Sequence, residues 1–132
     1  MSQTKIYLSG PVEKAENPES WRDELIREYS YFNFYHPTKA HEFTLPLDEA
    51  EKYMMVMTQL RQINLSDILL VRYYKEETWG TPVEMFWAYT CGVPVVVWNA
   101  SNSDEIPAYV SVFADGIDAS IEKCIRMGEK MI

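Results

Sequence analysis

Ile68-Leu69-Leu70-Val71 is an unbroken apolar run, β-branched at both ends. Such a run reads as a strand buried on both faces. What lies on either side of it decides the fold. Upstream, about Leu47 to Asn64 has helical spacing, with Met54, Met57, Leu60, Arg61 and Ile63 around the inner side. Downstream, Thr81 to Cys91 reads as a helix stopped by Gly92, and Val93-Pro94-Val95-Val96-Val97 as a second buried strand. Strand, helix and strand in succession predict a right-handed crossover between parallel neighbours.

The same alternation extends to both ends of the chain. Lys5-Ile6-Tyr7-Leu8 is a short apolar strand that stops at Ser9-Gly10-Pro11. From about Pro18 the pattern turns helical, with Trp21, Leu25, Ile26 and Tyr29 on one stripe and Glu19 and Asp23 in the first turn. Tyr31 to Tyr35 alternates aromatic residues as a strand would, and His36-Pro37 ends it. Residues 38–46 carry no period and read as a loop. Tyr109 to Phe113 reads as a last strand and Ile117 to Met131 as a closing helix. The expectation is one α/β domain over residues 1–132. Its core is a doubly wound, mainly parallel five-stranded sheet of flavodoxin/Rossmann-like type, order 2-1-3-4-5, with helices on both faces. Ligands of such sheets bind beyond the carboxyl ends of the strands, which selects three loops: Ser9 to Glu16, Tyr73 to Thr81, and Asn99 to Pro107.

Composition narrows the function. With 132 residues and 47% hydrophobic content the chain can bury one core. No apolar run approaches the roughly 20 residues of a membrane span, and the start Met1-Ser2-Gln3-Thr4-Lys5 is unlike a secretion signal. A cytoplasmic protein is predicted. A net charge of −8 repels nucleic-acid backbones, so a polymer-binding role is disfavoured, while backbone amides still suffice to hold one small phosphate. Cys91 and Cys124 make neither a disulfide framework nor a zinc pair and read as buried apolar side chains; His36 and His41 have no companion ligands. Neither a metal nor a cofactor is implied.

Two motifs carry chemistry. Ser9-Gly10-Pro11 ends the first strand, where glycine lets a ligand approach the backbone, although a plain turn has the same sequence. Neither GxGxxG nor GxxxxGK[ST] occurs. The second motif is Gly80-Thr81-Pro82-Val83-Glu84. With Thr81 as N-cap and Pro82 in the first helical position, Glu84 completes a capping box. The same spacing puts a carboxylate at the mouth of the sheet, where it can attack an anomeric carbon. Capping and catalysis compete for one side chain.

Taken in order, Ile6-Tyr7-Leu8-Ser9-Gly10-Pro11, Ser20-Trp21-Arg22, Ser66-Asp67-Ile68-Leu69-Leu70-Val71 and Gly80-Thr81-Pro82-Val83-Glu84-Met85 with Ala88-Tyr89 resemble the nucleoside 2-deoxyribosyltransferase family, including the related nucleotide N-glycoside hydrolases. The resemblance spans about residues 5 to 98 and implies double displacement at the N-glycosidic bond of a nucleoside or its 5′-monophosphate. It makes Glu84 the nucleophile and Tyr7 the aromatic that positions it, with Ser9, Gly10 and Pro11 in the loop that approaches the sugar or its phosphate. It also implies a homo-oligomer in which a neighbouring subunit completes the site near the loop that begins at Asn99. Candidate substrate contacts are Arg22, which can reach a phosphate, Trp79, which can stack on a base, and the loop residues Gly80, Thr81 and Asn99.

The chain departs from the family at two positions. Gln59 stands where many members have the aspartate that protonates the leaving base, with Gln62 one turn on. Thr78 replaces the acidic residue that binds the 5′-hydroxyl. An amide hydrogen-bonds a base edge but supplies no proton by ionising. Asp48, Glu49 or Glu51 are candidate substitutes for the acid, and Asp67 reads as structural. The alternative function is a catalytically weak module that binds or senses a nucleotide on the same fold.

Overall fold

The computed structural model describes residues 3–10, 20–37, 47–73 and 80–132. Five strands form one all-parallel sheet in the order β2-β1-β3-β4-β5: β1 (Lys5–Ser9), β2 (Asn33–Tyr35), β3 (Ile68–Tyr73), β4 (Val95–Asn99) and β5 (Gly116–Asp118). Between them run α1 (Ser20–Glu28), α2 (Glu49–Asn64), α3 (Gly80–Cys91) and α4 (Ala108–Phe113), and α5 (Ile121–Lys130) closes the chain. The predicted doubly wound order is the observed one.

Strand alternation splits the core into two layers. Ile6, Leu8, Ile68, Leu70 and Val96 face Trp21 and Leu25 of α1 and Cys124 and Ile125 of α5. Tyr7, Leu69, Val71, Val95 and Val97 face Ile63 of α2, Met85 and Ala88 of α3 and Val110 of α4. Gly128 lets α5 press onto the sheet, since a Cβ there would lie 2.9 Å from Ile68 Cδ1. Gly92 ends α3 with φ +74°, the left-handed conformation that glycine adopts without penalty.

Three expectations need correction. Tyr109 to Phe113 is helical, and the fifth strand is Gly116–Asp118. The Tyr-Val-Ser-Val-Phe alternation looks like a strand, but Val110 and Phe113 pack inward at helical spacing while Tyr109 and Val112 face solvent. The closing helix accordingly starts at Ile121 rather than Ile117, behind the N-cap Ser120. On α2 the expected inner side holds at Leu60 and Ile63, which pack into the core, and fails at the other three positions. Met54, Met57 and Arg61 are exposed, whereas half-buried Met55 and Gln59 share a face with fully buried Ile63.

Candidate active site

α3 lies over β3 and β4 with Thr81, Met85 and Ala88 buried. Glu84 is three residues after Thr81 and four before Ala88, so it belongs to the same inward stripe. A half-buried carboxylate is therefore turned toward the sheet, at its carboxyl-terminal rim. β1 meets it with two hydroxyls. Residues two apart on a strand share a face, so Tyr7 and Ser9, both fully buried, point to the α3 side together. Tyr7 Oη donates to Glu84 Oε2, and Ser9 Oγ donates to Glu84 Oε1 at 2.8 Å. Each carboxylate oxygen is thus held by its own donor.

Electrostatics at Glu84 are a balance. Burial raises its pKa above the ordinary carboxylate range, while the Tyr7 and Ser9 hydrogen bonds and the Arg22 charge oppose the rise. Tyr7 is pushed far up, first by burial and then by the Glu84 charge and hydrogen bond, so its phenol remains a donor. Tyr35 at the end of β2 stacks on Tyr7 with ring centroids 5.0 Å apart, and burial followed by the Glu84 charge raises its pKa as well. Nothing in the run from Tyr31 to Tyr35 sets Tyr35 apart from its aromatic neighbours, and its place beside Tyr7 follows from the strand register.

The competition for Glu84 has an outcome. α3 begins at Gly80, so Thr81 is inside the helix rather than capping it, and Glu84 turns to β1. A capping box does occur elsewhere: Asp48 caps α2, its side chain accepting from Glu51 N at 2.8 Å while Glu51 Oε1 accepts from Asp48 N at 3.2 Å. Glu49 pairs with Lys52. Asp48 and Glu51 are therefore committed to their own helix, which removes them as ready substitutes for the missing acid.

The remaining candidates separate by place. Pro11, Thr78 and Trp79, with most of the Ser9–Glu16 and Tyr73–Thr81 loops, lie outside the described residues. Gln59 is on the sheet-facing stripe of α2, one turn nearer the active rim than Ile63. Gln62 is at the other end, accepting from Lys5 Nζ at the start of β1. Asp67 is there too, its carboxylate accepting from Lys5 N at 2.8 Å, in the structural role expected. Gly80 is exposed at the first turn of α3. Asn99 is buried and closes its own loop, donating to Ser103 O at 2.9 Å and accepting from Ser103 N at 3.1 Å. An open cleft of about 690 Å³ runs along that loop between Tyr73 and Pro107, and Glu84 does not line it. Arg22 is fully buried, with hydrogen bonds to the backbone of β1. Among the described residues no cluster of three or more His, Cys, Asp or Glu has a metal-binding arrangement, and no helix is long and apolar enough to cross a membrane.

No protein-family model and no curated protein sequence matches the chain. Solved structures do. A 2-deoxyribosyltransferase from Bacillus psychrosaccharolyticus superposes with a TM-score of 0.78 at 17% identity, over 91% of this chain and 89% of that one. A 2-desoxiribosyltransferase from Leishmania mexicana gives 0.67 at 15% identity, over 98% and 99%. The CMP N-glycosidase BcmB of Clostridium botulinum gives 0.54 at 12% identity, over 98% and 100%. The fold is shared along nearly the whole length, with enzymes that transfer or hydrolyse at a glycosidic nitrogen among those that have it.

Proposed function

We propose that this chain is an enzyme of the nucleoside 2-deoxyribosyltransferase type, which cleaves or exchanges the N-glycosidic bond of a nucleoside or its 5′-monophosphate through Glu84. The observation that carries this reading is the Glu84 carboxylate, drawn away from its helix terminus and held at the rim by Tyr7 and Ser9. A cap has no need of two buried hydroxyls from another element. A nucleophile does, because its oxygens must be fixed toward the reacting carbon before it arrives.

In the proposed reaction a Glu84 oxygen bonds to the anomeric carbon as the carbon–nitrogen bond breaks, and the electron pair leaves with the base. The glycosyl ester is then attacked at the same carbon. A second base completes an exchange and regenerates the carboxylate; water instead releases the sugar and completes a hydrolysis. In this reading Tyr7 and Ser9 hold the carboxylate throughout, and Gln59 hydrogen-bonds a base edge. Gly10 and Pro11 with Thr78 and Trp79 are the proposed contacts to sugar, phosphate and base.

We further propose a homo-oligomer whose neighbouring subunit completes the site. Tyr53, Met54 and Met57 of α2 and Val83, Phe86 and Tyr89 of α3 are exposed on adjoining helices. Covering them by a second copy would bury exposed apolar side chains of the kind that mark interfaces. Light scattering coupled to size exclusion tests it; a monomer at working concentration refutes it.

The deciding experiment is a chromatographic assay on nucleosides and 5′-monophosphates, each with and without a second free base. Base release that disappears in Glu84→Gln supports the reading, and incorporation of the added base marks a transferase. No turnover, with one ligand still raising the melting temperature, overturns it in favour of the binding module. Gln59 in the acid's place, with Asp48 and Glu51 locked in a cap, is what favours that second reading.

A further inference from the structure

β1 outlasts the strand beside it. β2 pairs with Lys5, Ile6 and Tyr7 only, its last residue Tyr35 lying opposite Tyr7. Carbonyls alternate sides along a strand. Thr4 O accepts from Asn33 N on the β2 side and Lys5 O accepts from Asp67 N on the β3 side. The alternation therefore sends Leu8 O and Gly10 O to the β2 side, past the point where β2 has ended. Buried carbonyls without partners are costly. Arg22 of α1 fills the gap: Nε donates to Leu8 O at 3.3 Å and Nη2 to Gly10 O at 3.2 Å. Its guanidinium stands in for the missing strand.

The side chain is built into this position. Arg22 is fully buried, and its guanidinium carbon lies 4.5 Å from the centre of the Trp21 ring. That ring in turn rests on Gly10, where a Cβ would come within 2.9 Å of Trp21 Cζ2. Gly10, Trp21 and Arg22 thus make one packed unit around the end of β1. Between the two carbonyls that Arg22 holds is Ser9, the donor to Glu84 Oε1.

Resting on the function proposed above, we infer that Arg22 is the positioning residue of the site rather than a phosphate ligand: it clamps the backbone on both sides of Ser9, fixes the hydroxyl that orients Glu84, and places a buried positive charge near that carboxylate. Among the described residues the groups that face Glu84 are Tyr7 and Ser9 from β1, Tyr35 from β2 and Arg22 from α1, and Arg22 is the cation of that set. Its charge favours the ionised carboxylate against the desolvation that opposes it.

The test compares Arg22→Gln and Arg22→Lys with the parent chain. Carbon-13 NMR follows Glu84 ionisation, its signal assigned by its loss in Glu84→Gln, alongside kcat and KM for the substrate found in the panel assay. Arg22→Gln is expected to move the Glu84 titration upward. Arg22→Lys keeps the charge but loses the fork, and is expected to lower kcat by about 10²-fold with KM little changed, the cost of misplacing a reacting group. Folded variants with an unmoved titration and parental kcat overturn the inference. So does a KM rise that depends on a substrate 5′-phosphate with kcat unchanged, which marks a phosphate ligand. If Arg22→Gln does not fold, Arg22→Lys decides by the kcat and KM split. If the parent chain turns nothing over, the enzymatic reading fails, and the titration still decides whether Arg22 sets the state of Glu84.

Discussion

The N-termini of α2 and α3 carry the same kind of sequence and put it to opposite uses. Asp48-Glu49-Ala50-Glu51 and Thr81-Pro82-Val83-Glu84 both offer a capping residue and, three positions on, a glutamate. At α2 the pattern closes on itself as a reciprocal box on an exposed surface. At α3 the helix begins one residue earlier, and the glutamate bonds instead to two hydroxyls of β1, 75 and 77 residues away in sequence. Burial makes the difference. Among the described residues Glu51 bonds to its own helix end, whereas Glu84 falls on the stripe of Thr81, Met85 and Ala88 that faces the sheet. A charge on such a stripe is costly unless partnered, and a fold that carries the cost at the mouth of an α/β sheet points to chemistry.

The largest expected effect breaks the α3 side of the pair. Glu84→Gln should reduce turnover by more than about 10³-fold, as removal of a nucleophile does. Tyr7→Phe comes next: kcat should fall by about 10²-fold through loss of orientation. In that variant the acid limb of the pH–rate profile should move upward, because a hydrogen bond to the charged form has gone. A Tyr7→Phe enzyme with a parental profile would show that the phenol is packing alone.

Stability should move opposite to activity. Unfolded Glu84 loses its proton in the ordinary carboxylate range, but folded Glu84 only above it, because burial disfavours the charge. Between those two pKa values the native chain holds the extra proton, so native stability falls as pH rises through the window, and the deficit persists above it. Glu84→Gln removes the cost. Its melting temperature should therefore match or exceed the parent's at neutral pH, and the difference should shrink below pH ~4, where the parent carboxyl is protonated in both states. A lower melting temperature at neutral pH would return Glu84 to a capping role.

Much of this was legible before the structure. Unbroken apolar runs at Ile68–Val71 and Val95–Val97 marked buried parallel strands, and the position of Glu84 beyond the third strand followed from their order. What escaped the sequence depends on register and competition. The Tyr109–Phe113 alternation satisfies strand and helix patterns alike, and only packing of Val110 and Phe113 beside α3 selects the helix. The fifth strand, Gly116-Ile117-Asp118, has a single large apolar residue to announce it. On α2, methionines at 54, 55 and 57 offer an apolar side to several faces, so the inner stripe could not be told apart. The role of Arg22 was hidden most deeply, because it exists only where β2 stops short of β1.

The smallest effect sharpens the α2 side. Asp48→Ala removes the acceptor for Glu51 N and frees the Glu51 carboxylate that bonds Asp48 N. Both hydrogen bonds are exposed, so water replaces what is lost. The expected cost is that of an ordinary N-cap, about 0.5–2 kcal/mol, read as an earlier denaturant midpoint with an unchanged slope. Turnover should not change, since nothing in the box touches Glu84. Were kcat to fall instead while stability held, Asp48 itself would have to serve the site after all, as the acid that Gln59 cannot be. The two helix ends would then differ in distance from the chemistry rather than in kind.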